Sequence, residues 1–182
     1  MNPYTSIWFK PKQTFQHFFE SDERAPLYFL PILVIGISMT LDIAPEIGAL
    51  YAEDYPFWIY LLALPIGIGV SYLVIGLVFP GLTRAFGKIW GGKATLRQMT
   101  NVYSLAFIPF LIIVVNQLAL LITGQEPTME NINAGVDAIL RLWTLALLVF
   151  GVSQIQKFSY GIALLNVLIT HAPFVIISLI RQ

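Results

Sequence analysis

The chain contains no cysteine. That excludes disulfides, thiolate metal sites and a thiol nucleophile. Histidine is nearly as scarce: His17 and His171 are the only two, and they fall in segments of different character, so no two-histidine metal cluster forms from local spacing. Charge is thin. Only 11% of residues are charged, against about 25% in a soluble domain whose surface must stay wet. The formal net charge is zero, which excludes a general nucleic-acid or acidic-substrate binder. What fills the chain instead is apolar: 57% of residues are hydrophobic and the mean hydropathy is +0.77. Nearly everything would be core in a soluble domain, so lipid is the expected outer solvent.

A membrane helix needs about 20 mostly apolar residues. Five segments meet that need, at about 27–47, 57–80, 102–123, 138–154 and 160–180. The fourth is the weakest, because Arg141 sits near its start. The first begins after a polar stretch and no small-residue cleavage site follows it, so it reads as a retained span rather than a signal peptide. Residues 1–26 then form a cytoplasmic amphipathic segment and 27–182 a five-span membrane domain.

Charge sorts across the connectors. Lys10, Lys12 and Arg24 precede the first span, Arg84, Lys88, Lys93 and Arg97 fall between the second and third, and Lys157 between the fourth and fifth. The alternate connectors carry Glu53 and Asp54, then Glu126, Glu130 and Asp137. Lys/Arg bias in short loops marks the cytoplasmic side. It places the N-terminus inside and, with five spans, the C-terminus outside. Losing the fourth span would move Lys157 to the acidic side, so the charge pattern supports that helix independently of its hydropathy. Asp137 and Arg141 are one helical turn apart and are expected to pair.

The N-terminal segment reads as a surface helix. Pro11 suits a first-turn position, and Phe15, Phe18 and Phe19 recur at helical spacing. Trp8 precedes them, and Lys10 and Lys12 are placed for lipid headgroups. Lys88, Lys93 and Arg97 extend the same basic surface, which is expected to meet membrane or partner. Residues 87–94 nearly spell a phosphate-binding loop, with Gly87, Gly92 and Lys93. Ala94 stands where a magnesium-holding hydroxyl is needed, and no strand precedes the loop. A turn followed by a helix capped by Thr95 explains it better.

Ionisable groups inside hydrocarbon are costly and mark candidate sites. Asp42 near the outer end of the first span, Asn116 and Gln117 in the third, and His171 in the last make a candidate intramembrane polar site. The simpler reading is that they bond between helices. No nucleophile, acid–base pair, metal set or cofactor motif stands out. Interior prolines free carbonyls that neighbouring helices must satisfy, and Gly67, Gly69, Ser71 and Gly76 allow close helix approach. An internal match aligns Pro109 with Pro173 and Lys93 with Lys157, as a parallel repeat would.

Three stretches together resemble the Yip family of polytopic membrane proteins, in its compact prokaryotic form. The first holds Trp8, Pro11 and Thr14 in the order Trp-x-x-Pro-x-x-Thr. The second runs Gly91-Gly92-Lys93-Ala94-Thr95-Leu96-Arg97-Gln98, before a span containing Ile108-Pro109. The third runs Gln154-Ile155-Gln156-Lys157-Phe158-Ser159-Tyr160-Gly161 into the last span. The resemblance implies an all-α membrane fold of five transmembrane helices with an N-terminal amphipathic surface helix. It also implies a non-enzymatic role in membrane organisation, trafficking-like or scaffolding interactions, with lipid, protein partners or further copies of the chain. Small-GTPase binding does not carry over: the longer hydrophilic N-terminal region of eukaryotic members has no counterpart, and Ala44 stands where their first-span motif has glycine. The alternative is a small transporter or channel using the intramembrane polar residues.

Overall fold

The computed structural model describes residues 2–20, 29–49, 58–129 and 132–180. The charges at Arg24, Glu53, Asp54 and Glu130, which enter the orientation argument, lie outside the described residues. Within them the chain is helical throughout, with no strand. Two short helices, α1 (Pro3–Phe9) and α2 (Pro11–Glu20), precede α3 (Leu30–Ala49). Then α4 (Trp58–Ser71) passes through a π-helical segment, Tyr72–Val78, into α5 (Phe79–Ile89). After a tight turn, α6 (Leu96–Ala106) runs through a 3-10 turn, Ile108–Phe110, into α7 (Leu111–Ile122). The chain closes with α8 (Ala134–Gln156) and α9 (Tyr160–Ile180).

Three continuous helices among the described residues are long and apolar enough to cross a membrane: Trp58–Ile89, Leu96–Ile122 and Ala134–Gln156. Shorter apolar helices cover Leu30–Pro45 and Tyr160–Phe174. The helix that hydropathy marks as weakest is therefore one of the three. Its Arg141 is matched by Asp137, whose carboxylate it meets at 2.7 Å one turn away. Leu62, Ile66 and Leu142 are each about two-thirds exposed, an outward apolar surface that water would penalise and lipid would not.

The helices overrun the hydropathy boundaries. Trp58–Ile89 has 32 residues, about 48 Å at the helical rise of ~1.5 Å per residue. That exceeds the ~30 Å of hydrocarbon. Its end is set by backbone chemistry: Gly91 takes φ +80, and Gly92 N–H bonds back to Gly87 O at 3.0 Å. The next helix starts at a capping box, in which Thr95 Oγ1 accepts from Gln98 N–H while Gln98 Oε1 accepts from Thr95 N–H.

The π-helical segment runs up to a proline. Pro80 has no N–H, so the ordinary bond to Gly76 O cannot form, and its ring crowds that carbonyl. The backbone widens, with Phe79 N–H reaching Val74 O. Thr100 Oγ1, from α6, then donates to Gly76 O at 2.7 Å. Pro109 falls in the 3-10 break, whereas Pro173 lies inside continuous α9. The matched prolines thus do different things.

Helices α3 and α4 cross on small residues. Both carry a small-x-x-x-small pair, Gly36 with Thr40 and Gly67 with Ser71. A Cβ at Gly36 would lie 2.6 Å from Ile68 Cα, and one at Gly67 would overlap Thr40 Oγ1 and sit 2.6 Å from Gly36 O. Ser71 Oγ donates across the crossing to Ile32 O at 2.6 Å. Such intramembrane bonds are worth about 0.6 kcal/mol on average, so the close backbone contact is the larger constraint. Gly69, also expected at an interface, is exposed, and a Cβ there would meet nothing within 4 Å. Gly67→Leu should therefore cost about 1–3 kcal/mol by overpacking, read as a lowered thermal midpoint in detergent. Gly69→Leu should stay within about 0.5 kcal/mol of the parent.

Candidate functional site

The intramembrane polar residues separate into two clusters. At the acidic end, Asp42 Oδ1 of α3 accepts from Met129 N–H at 2.7 Å, pinning the loop that leads to α8. Fully buried Gln117 of α7 lies in the same region, its Nε2 donating to Pro127 O at 3.0 Å and reaching Ser38 O at 3.4 Å. Asn116 is exposed and bonds its own helix, Nδ2 to Ile112 O at 3.1 Å.

His171 belongs elsewhere. Its ring stacks on Phe79 at 4.4 Å and on Tyr103 at 5.9 Å. Nδ1 lies 2.7 Å from Val167 O; a carbonyl can only accept, so Nδ1 carries the proton. Asp42 and Gln117 are brought together, while Asn116 and His171 are not part of that group. Around His171 stands a set that spacing did not single out. Thr83 Oγ1 is 2.6 Å from Tyr103 OH and donates to Thr170 Oγ1 at 3.2 Å, while Asn166 Nδ2 donates to Thr83 O at 3.1 Å. Asn166 is buried amid the apolar stretch of α9. An amide isolated in such a stretch was the available signal.

The basic end carries the surface residues. Lys10, Lys12, Lys88, Lys93 and Arg97 are exposed, and Trp8 is half-buried against the core. Phe15 requires a correction. It is fully buried instead of facing lipid or a partner, because α2 packs on α8 where Gly151 leaves room: a Cβ there would meet Phe15 Cε1 at 3.0 Å and Val102 Cγ1 at 2.6 Å. The side chains of Phe18 and Phe19 lie outside the described residues. Thr14 Oγ1 donates to Ser6 Oγ at 2.9 Å, tying α2 to α1, and burial raises the Tyr4 phenol above its ordinary pKa. Ile7 is fully buried while Phe9 is 88% exposed, an aromatic the helical pattern of α2 did not mark.

The two hairpin turns of this end are joined by Gln156, whose Oε1 accepts from Ala94 N–H at 3.4 Å. Gly87 and Gly92 both give way to this side chain, since a Cβ at either would overlap its amide. Arg84 Nε donates to Ala94 O at 3.1 Å. No group of three or more His, Cys, Asp or Glu side chains comes together among the described residues.

This arrangement covers the whole described bundle, and so does the likeness to known proteins: the family model for the Yip1 domain matches residues 5–180. The chain belongs to the Yip1-domain family. No curated protein and no solved structure matches it. Family and apolar helices together make this Yip1-domain protein an integral membrane protein. In it, Asp42 is a loop anchor by geometry. Asp42→Leu should leave the Met129 N–H unpaired, costing about 1–3 kcal/mol and speeding proteolysis in the segment 124–129. Asp42→Asn keeps an acceptor oxygen and should lose less than half as much in the same assay.

Proposed function

We propose that this Yip1-domain protein is a non-enzymatic organiser of its membrane, acting through contacts at a basic, aromatic cytoplasmic rim. In this reading five helices span the bilayer, α1 and α2 lie at its surface, the N-terminus is cytoplasmic and the C-terminus outside. The partition of charge supports the orientation. The observation that carries the function is the docked N-terminal pair. It buries Ile7 and Phe15 in the bundle and leaves Phe9, Lys10 and Lys12 facing outward. An apolar ring beside ammonium groups suits headgroups or the surface of a membrane-bound partner. The transporter alternative draws on Asp42, Asn116, Gln117 and His171, which stand in separate clusters.

A chain without cysteine allows a direct test. Single cysteines replacing Phe9, Lys93 and Glu126 are introduced, and each is labelled in sealed vesicles of known orientation and then crosslinked. Phe9 and Lys93 positions should label from the cytoplasmic face and Glu126 from the other, with discrete crosslinked species from Phe9. Same-side labelling of Lys93 and Glu126 contradicts the topology. Solute flux in liposomes that Asp42→Asn and His171→Ala abolish, with no crosslink at Phe9, replaces the organiser with a transporter.

A further inference from the structure

At the basic end two turns meet, one joining α5 to α6 at 90–95 and the other joining α8 to α9 at 157–159. Between them and α2 lie two adjoining hollows of about 640 Å³ and about 380 Å³, sharing Gln98, Ile155, Lys157 and Phe158. Gln16 lines the larger, and Lys93 and Gln156 line the smaller. Among the described residues no carboxylate lines either hollow and neither lysine has an ion-pair partner.

Two local features border this cleft. Lys157 holds φ 58 and ψ 40, the left-handed cap that glycine ordinarily fills. A glycine would end α8 with less strain but would leave no ammonium there. Gln156 lines the smaller hollow but is only 4% exposed, and its buried Nε2 packs against Gly87, so it is the Oε1 end that meets the turn at Ala94.

We propose that this cleft binds a phosphate monoester. Its charge of about −1.5 to −2 at neutral pH matches the two ammonium groups, and lysine serves phosphate as a point charge. The Gln16 and Gln98 amides supply further donors. Trp90 and Phe158, edge to face at 6.4 Å, give the organic part of the ligand an apolar wall. The volume admits a headgroup or a small phosphorylated molecule. The monoester can therefore come from a soluble compound or from a lipid such as phosphatidic acid.

The test uses the intact protein in phosphatidylcholine nanodiscs. One arm titrates inorganic phosphate and glycerol 3-phosphate by calorimetry. The other dopes the discs with phosphatidic acid and reads retained lipid by native mass spectrometry. Saturable binding in the first arm assigns a soluble ligand, and binding in the second alone assigns a headgroup. In whichever arm binds, Lys93→Gln and Lys157→Gln should each weaken it about tenfold, the usual worth of a charge-assisted contact. Lys157→Asn, which tolerates the left-handed cap, should do the same if the glutamine variant misfolds. Arg141→Gln, which removes one positive charge at the far end of α8, should leave binding unchanged. Equal weakening by Arg141→Gln, indifference to the lysine variants, or no saturable binding in either arm overturns the proposal.

Discussion

A main-chain carbonyl released inside hydrocarbon has no water to turn to, and this bundle is arranged around where such carbonyls go. The clearest case is Gly76 O, released by Pro80 and taken up by Thr100 from another helix. Side chains also donate to carbonyls of other segments that no proline has released. Ser71 donates to Ile32 O, Asn166 to Thr83 O and Gln117 to Pro127 O. Each bond joins separate elements through a side chain on one and the backbone on the other. Such bonds fix the rotation of each helix, since one residue's shift around the helix would turn the donor toward lipid.

Close approach makes these short bonds geometrically available. Gly36 and Gly67 bring α3 and α4 together, Gly151 admits Phe15, and Gly87 and Gly92 admit Gln156. The glycines therefore act at three levels of the molecule: the α3–α4 crossing, the docking of the N-terminal pair, and the junction of the two basic turns. The last two place the exposed Phe9 and the lysine-lined cleft at one end. Function is read from that end because the polar groups deeper in the bundle are not gathered into one site.

Much of this was legible in the sequence, and its failures have physical causes. Hydropathy located the apolar helices but not their ends, because it reports the lipid boundary, while Gly91 and the Thr95 cap end and begin the helices. That cap was readable from Thr95 alone, and that interior prolines release carbonyls needing partners was readable too. The acceptor's partner, Thr100, was not, since it lies on another helix. Phe15 shows a different limit: a one-sided aromatic pattern says that a face is buried without saying whether in lipid or protein, and distant Gly151 decided it. His171 was grouped with the other polar residues because each interrupts an apolar span, but that pattern carries no information about direction around the bundle. Membership of the Yip1-domain family was carried by three weak motifs in succession, and the match over 5–180 agrees with it.

The dependence of the fold on captured carbonyls is tested most directly by a double-mutant cycle at Thr100 and Pro80, followed by thermal unfolding in detergent. Thr100→Val should cost about 0.5–1.5 kcal/mol by leaving Gly76 O unpaired. In a Pro80→Ala background the amide at position 80 can bond Gly76 O itself, so most of that cost should vanish. An equal loss in both backgrounds would contradict the account, because Thr100 would then stabilise the bundle by something other than the carbonyl that Pro80 releases.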